Sequence, residues 1–424
     1  MNGPALGTAR PLGATLRRAT VLPLSDSALP YRDGWVWLSQ WVGASRLAWR
    51  QLRCEPTRLF AAVTGVMFAT VLLVMQLGFR SALFDTATAL PRALHAELVL
   101  INPMTMALFR AEPLPRVRGF EALAVPEVTK AVPIYLAQVF WRNPINGRHR
   151  AIQLIGFDAE GGVVRIAGLV PLVPLLRRVD AVAFDALGRP EYGDIAALLS
   201  RPGALDAQIG SHEVHVVGTV RLGANFGADG NVVMSSTTFH RIVPNMRRSD
   251  ASVIALKLRP DADPTRVQAE LRRFLPPDVD VLTHRQLVQR EREYWASTTP
   301  IGIIFAFGCF LGLVVGIVIV YQILFTDITN HLREYATLKA MGFTNQYFDQ
   351  VVICEAMMLA GLGLMPGILL SAVLYRYAAA GTYLTLNLTG QRCALVMVLI
   401  LAMCISAALL TLHKLRRADP AEMF

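Results

Sequence analysis

Four long apolar runs with few or no charges inside, Leu59–Phe79, Pro300–Phe325, Val351–Tyr375 and Cys393–Leu412, constrain this chain more than any other feature. Each supplies the roughly 20 apolar residues that a helix needs to cross a hydrocarbon layer about 30 Å thick. A soluble core can absorb one such run, but not four. Composition agrees, because 54% of the 424 residues are hydrophobic and 17% charged, with a mean hydropathy of +0.42. Such a chain is too apolar for an ordinary globule and too charged to lie wholly in a membrane. The expected fold class is therefore a membrane protein with four transmembrane α-helices and a large α+β domain inserted between helices 1 and 2. Pro366 lies inside the third run and predicts a kink. Glu355, near that run's start, is placed to reach the interface or to face a neighbouring helix.

An even number of spans puts both termini on one side. Arg46, Arg50, Arg53 and Arg58 precede the first run, and Lys414, Arg416 and Arg417 follow the last. Positive flanks of this kind mark the cytoplasmic side. The expected organisation is a cytoplasmic tail and amphipathic helix over 1–57, spans at 58–79, 299–325, 351–375 and 393–412, and a periplasmic domain with its stalk over 80–298. A cytoplasmic loop over 326–350, a short periplasmic loop over 376–392 and a cytoplasmic C-terminus over 413–424 complete it. The first forty residues carry Pro4, Pro11, Pro23 and Pro30 and read as a tail, followed by a basic, aromatic amphipathic helix over Trp35–Arg53 suited to a membrane surface. The first 25 residues contain no apolar stretch of signal-peptide length, so the first span is expected to act as an uncleaved anchor. All five cysteines lie in or beside the apolar runs, so the inserted domain must be held by a core and not by disulfides.

Within the inserted segment, Glu97–Ile101, Ile152–Phe157, Val214–Val220, Val232–Ser235 and Val253–Leu258 read as strands. Asp263 followed by Pro264 is a helix start, and Val267, Leu271 and Phe274 give that helix an apolar face. From His284 to Ser297 a charged helical stretch runs straight toward the second span as a stalk.

The chemistry is conspicuous for what it lacks. A P-loop needs a lysine directly after a glycine, and the only lysines, Lys130, Lys257, Lys339 and Lys414, follow Thr129, Leu256, Leu338 and His413. G-x-S-x-G, C-x-x-C and H-E-x-x-H are equally absent, so no enzymatic activity, cofactor or metal is expected. The nearest metal-like cluster, His212-Glu213-Val214-His215, would place its histidines on opposite faces of a strand. A formal charge of +10 is spread along the chain without aromatic interleaving, which argues against nucleic acid as a partner. Gly308, Gly312 and Gly316 form a row on one face of the second span, suited to close helix packing within the bundle or across a homodimer. Gly361, Gly363 and Gly367 lie within the third span and read as packing glycines, not as a dinucleotide loop.

The loop after the second span is the most informative polar segment. Ile328, Leu332 and Tyr335 recur at helical spacing, Leu338 and Met341 extend the stripe, and Gly342 falls where a C-cap belongs. His331, Arg333, Glu334 and Lys339 then form a charged face. Two readings fit this pattern, a docking helix for a soluble partner and a surface connector with solvated charges.

The string REYATLKAMGFT within this loop resembles the R-E-x-x-x-L-[KR]-A-x-G signature of FtsX/MacB-type permeases. VVGIVIVYQILFTDITNHLREYATLKAMGFTN, LGANFGADGNVVMS and KLRRADPAEMF resemble DevC-like permeases of that superfamily, and the similarity extends over about residues 41–424. The resemblance implies a homodimeric permease of the bacterial inner membrane with both termini cytoplasmic. It further implies a separate ABC ATPase subunit, a periplasmic membrane-fusion adaptor and a TolC-like outer-membrane protein as partners, with membrane lipids around it. In that reading His331, Arg333, Glu334, Tyr335, Thr337, Lys339 and Gly342 couple to the ATPase, and the complex exports a glycolipid or other amphiphile by mechanotransmission. The alternative is an FtsX-like regulator of a periplasmic hydrolase or sensor, which transmits ATPase motion without transport.

Overall fold

The computed structural model describes residues 33–158, 161–200, 205–224, 227–331, 337–338, 340–382 and 388–417. The four apolar runs lie in helices Pro56–Ala87, Pro300–Asn330, Asn345–Thr382 and Gly390–Arg417, and all four helices are long and apolar enough to cross a membrane. A multi-pass membrane protein results, with a large mixed α and β domain between its first and second spanning helices. At about 1.5 Å per residue, the 32 residues of the first helix reach well beyond the hydrocarbon layer and carry Arg80 and Asp85 into the base of the inserted domain.

The first spanning helix is the centre of the bundle. Val66, Ala69 and Leu73 pack with Leu324 of the second helix, Leu359 of the third and Met403 of the fourth. Small residues permit this approach, because a Cβ at Gly363 would meet Val66 and one at Gly367 would meet Thr70. Preceding the bundle, the amphipathic helix spans Asp33–Cys54 and buries Ala44 and Ala48 against Val351 and Cys354 of the third spanning helix. Its small-residue face therefore docks on protein.

The inserted domain contains β1 Leu98–Ile101, β2 Leu114–Pro115, β3 Val128–Arg142, β4 His149–Phe157, β5 Ala181–Asp185, β6 Leu205–Ile209, β7 His212–Val220, β8 Asn231–Ser235, β9 Asp250–Ala251, β10 Val253–Leu258 and β11 Asp280–Thr283. Nine of them form one sheet in the order β11-β1-β10-β3-β4-β8-β5-β7-β6. The 15-residue β3 serves two halves of the domain. Its first part pairs with β10 in an open antiparallel sheet, and its last part pairs with β4 and, through Trp141 and Arg142, with β6. That last pairing closes β3, β4, β8, β5, β7 and β6 into a ring, which removes an exposed sheet edge. Trp141, Leu154, Val182, Phe184, Ile209 and Val232 fill its core.

One expectation for this domain needs correction. The helix Pro264–Phe274 begins as anticipated, with the Thr265 N–H donating to Asp263 at 2.9 Å, and it buries Val267 and Leu271. Phe274 is instead 55% exposed. The helix ends at Phe274, with Leu275 already extended, and Gln268 takes an inward place by donating to the Val281 carbonyl at 2.7 Å.

Candidate functional site

The second spanning helix is the element that joins the inserted domain to the polar loop at the opposite end of the bundle, and buried acids lie at both ends of this path, Glu291 on the stalk helix that precedes it and Asp327 in its own last turn. On the domain side the stalk is not straight. A helix over His284–Glu293 begins with a reciprocal capping box, in which the Gln286 N–H donates to the Thr283 hydroxyl at 3.2 Å and the Thr283 N–H donates to Gln286 Oε1 at 2.9 Å. It widens into a π-helical turn over Tyr294–Thr298 and breaks at the extended Thr299 before restarting at Pro300. Proline explains the break, since it lacks an N–H and disfavours helical geometry in the residue before it. Gly302 explains why the two pieces can lie so close, because a Cβ there would strike the Trp295 and Ala296 carbonyls.

This jointed stalk is locked by aromatic packing and one carboxyl. Trp295 is buried with Leu83, Phe84 and Ala87 from the end of the first spanning helix, and its ring centroid lies 5.6 Å from that of Phe109. Arg292 and Arg80 place their guanidinium groups 5.3 and 5.7 Å from the Phe84 ring centre. Glu291, 4% exposed, accepts hydrogen bonds from the Leu108 N–H at 3.0 Å and the Trp295 indole N–H at 3.2 Å. Burial pushes its carboxyl up to about 7, against the lowering effect of those two donors. One residue thus ties the stalk to the 3-10 turn Leu108–Arg110 of the inserted domain.

Along the bundle, the glycine row of the second span faces neighbouring helices of the same chain. A Cβ at Gly308 would meet Gln76, one at Gly312 would touch Leu72 and Leu73, and one at Gly316 would meet Met403 and Ala69. The rows of side chains that flank it, including Ile303, Phe307, Phe310 and Val314, are exposed.

At the loop end, Asp327 of the second spanning helix and Glu355 of the third are 6% and 1% exposed and lie within hydrogen-bonding reach of each other. Asp327 Oδ2 and Glu355 Oε2 have no donor among the described residues. His331, at the helix C-cap, places Nδ1 3.0 Å from the Asp327 carbonyl oxygen and 3.7 Å from Asp327 Oδ1. Downstream, the Phe343 N–H reaches back to the Leu338 carbonyl at 3.2 Å across Gly342, whose φ is +98°. That is the glycine helix terminus for which only glycine is unstrained.

Of the residues expected to couple to a partner, His331, Thr337 and Gly342 are described, whereas Arg333, Glu334, Tyr335 and Lys339 lie outside the described residues. The histidines of the metal-like cluster lie on β7, where His215 Nδ1 contacts Asp206 Oδ1. Sequence reasoning missed Glu291 and the pairing of Asp327 with Glu355. A signal for Glu291 existed, since Leu287, Glu291 and Trp295 recur every four residues and share one helix face.

Residues 305–420, which take in most of the second spanning helix and the whole of the third and fourth, match the family described as FtsX-like permease C-terminal. No curated protein matches the chain. Among solved structures, the chain is similar to the periplasmic region of MacB from Actinobacillus actinomycetemcomitans, with 11% identity and a TM-score of 0.33 over 47% of this chain and 94% of that one. It is also similar to the extracellular domain of the noncanonic ABC-type transporter YknZ from Gram-positive bacteria, with 13% identity and a TM-score of 0.32 over 44% of this chain and 99% of that one.

Proposed function

We propose that this chain is the permease subunit of an ABC-type export complex of the bacterial inner membrane, working by mechanotransmission. A separate cytoplasmic ATPase acts on the loop around His331–Gly342, and the second spanning helix carries the displacement to the inserted domain on the periplasmic side. There the domain engages a membrane-fusion adaptor leading to a TolC-like outer-membrane duct, and a homodimer of the chain moves a glycolipid or related amphiphile of the DevC-like class. The observation that supports this reading best is the jointed stalk. A single helix bears a polar loop at one end and, at the other, a π-turn and proline break locked to the domain through Glu291 and Trp295. Rigid helices on either side of a joint convert a small movement at one end into a rotation at the other. The match of residues 305–420 to an FtsX-like permease supports the same assignment, as does the absence of any glycine–lysine pair in the sequence.

The test is reconstitution with an ABC-type ATPase that copurifies with the chain. Glu334→Lys and Gly342→Pro should each leave membrane insertion intact and abolish permease-stimulated ATP hydrolysis. Unchanged ATPase binding and stimulation in both variants would refute the role of the loop.

A further inference from the structure

Where the first spanning helix leaves the apolar layer, two guanidinium groups from different elements meet over one ring. Arg80 of that helix and Arg292 of the stalk lie 5.7 and 5.3 Å from the centre of the Phe84 ring. Both arginines are exposed, whereas Phe84 is 8% exposed and packs with Leu83, Ala87 and Trp295. Each cation is attracted to the ring, but two like charges gathered there repel each other, and a shared anion relieves that repulsion. The chain supplies no such anion, since neither guanidinium forms an ion pair among the described residues. The nearby carboxylates have other partners. Asp85 lies 3.5 Å from Arg92 and 3.4 Å from Arg392, Glu291 accepts from the Leu108 N–H and the Trp295 indole, and Glu293 accepts from Gln289 at 2.8 Å.

Position says which anion fits. Phe79 ends the apolar run of the first span and stacks on Phe305 of the second, with ring centroids 6.1 Å apart. Phe84 follows Phe79 by five positions, about 7 Å along a helix that rises 1.5 Å per residue. The headgroup layer on each side of a bilayer is about 5–7 Å thick, so the two arginines lie at the depth of lipid phosphates. Ile304, beside Phe305, is 63% exposed and available to an acyl chain. Guanidinium groups match phosphate oxygens bidentately, and basic pockets between helices at this depth suit lipid headgroups. Two uncompensated positive charges favour a headgroup of net negative charge over a zwitterion, whose ammonium would face the same arginines. We infer that an anionic phospholipid of the leaflet next to the inserted domain binds here, its phosphate bridging Arg80 and Arg292 beside the Phe84 ring and so stapling the stalk to the first spanning helix. The site makes no use of the loop at the far end of the bundle, and it stands or falls apart from the function proposed above.

The experiment is hydrogen exchange on the full-length chain in nanodiscs, without nucleotide or partner protein. One set of discs contains phosphatidylcholine alone, and the other contains phosphatidylcholine mixed with phosphatidylglycerol. Exchange through Tyr294–Thr298 should be several-fold slower in the mixed discs. Arg80→Gln and Arg292→Gln should each remove most of that difference. Arg46→Gln combined with Arg50→Gln, which neutralises exposed arginines on the helix before the first span, should preserve it. Inorganic phosphate added to the phosphatidylcholine discs should give no protection. Native mass spectrometry of protein released from the mixed discs should find phosphatidylglycerol retained by the parent and less of it by Arg292→Gln. Equal exchange in the two sets of discs, a difference that survives in either Arg80→Gln or Arg292→Gln, its loss in the Arg46 and Arg50 variant, protection by inorganic phosphate alone, or equal lipid retention by parent and Arg292→Gln would overturn the proposal.

Discussion

The stalk that leads into the second spanning helix and the loop end of that helix both bury acids, but they treat them differently. At the domain end Glu291 has two donors, Leu108 N–H and the Trp295 indole, inside a shell of aromatic rings. At the loop end Asp327 and Glu355 have each other and an adjacent His331, with one oxygen of each acid lacking a donor among the described residues. The first arrangement is satisfied and fixes the stalk to its load. The second leaves a buried polar oxygen of each acid without a donor among the described residues, a less satisfied arrangement than the first. In this account a transmitting helix has a firm joint where it delivers motion and a compliant one where it receives it.

Breaking the firm joint should have the largest effect. Trp295→Ala removes a side chain that is 5% exposed and fills the junction of stalk, first spanning helix and Leu108–Arg110 turn. Truncations of buried aromatics cost about 3–5 kcal/mol, so the melting temperature should fall and amide exchange at Leu108 should accelerate. A variant as stable as the parent would show that the aromatic cluster is dispensable.

Titrating the same joint should have the next largest effect. The folded Glu291 carboxyl is raised to about 7 from an ordinary value of 4.5, so the folded state retains a proton that the unfolded chain has lost. Its contribution is full below about pH 4.5 and is lost as pH rises through about 7, by roughly 3 kcal/mol at one pKa unit per 1.36 kcal/mol. Glu291→Gln should flatten the stability profile between those limits. An unaltered pH profile in the variant would mean that Glu291 is not the group that titrates.

The compliant end should respond more gently. Glu355→Ala leaves Asp327 without its partner carboxyl in a buried site and should destabilise the protein by about 1–3 kcal/mol, whereas Glu355→Gln, which carries its own N–H donors, should be close to neutral. Equal losses in thermal unfolding for the two variants would argue that packing, not hydrogen bonding, holds this contact. The smallest effect is expected at Gly342, where φ is +98°. Gly342→Ala places a Cβ in that conformation and should cost about 1–2 kcal/mol of local stability, read as faster exchange at the Phe343 amide with little change in global unfolding.

Much of the fold was legible because its signals are local. Twenty-residue apolar runs announce spanning helices whatever surrounds them, and the β-branched runs of β7, β8 and β10 announce strands in the same way. The Asp263–Pro264 helix start was equally plain. What the sequence hid was non-local pairing. The ring closes through a short contact between Trp141–Arg142 and Ile209–Gln208, some 66 residues apart, and no periodicity reports such a contact. The stalk reads in the sequence only as a straight charged helix, because Arg285, Arg290, Arg292, Glu291 and Glu293 look alike in composition. Only its place on the Leu287–Trp295 face separates Glu291 from the others. Asp327 and Glu355 belong to different helices, so their meeting is a property of the fold alone.

The central claim is that force entering at the loop leaves through the stalk joint. It is tested most directly by hydrogen exchange on the chain reconstituted in nanodiscs with its ATPase, comparing the nucleotide-free and ATP-bound states. The account predicts that ATP binding alters protection at the Leu108–Arg110 turn and through Tyr294–Thr298, and that Gly342→Pro abolishes that change while the ATPase still binds nucleotide. Protection in these segments that is identical in the two nucleotide states, with the ATPase bound and turning over, would contradict it.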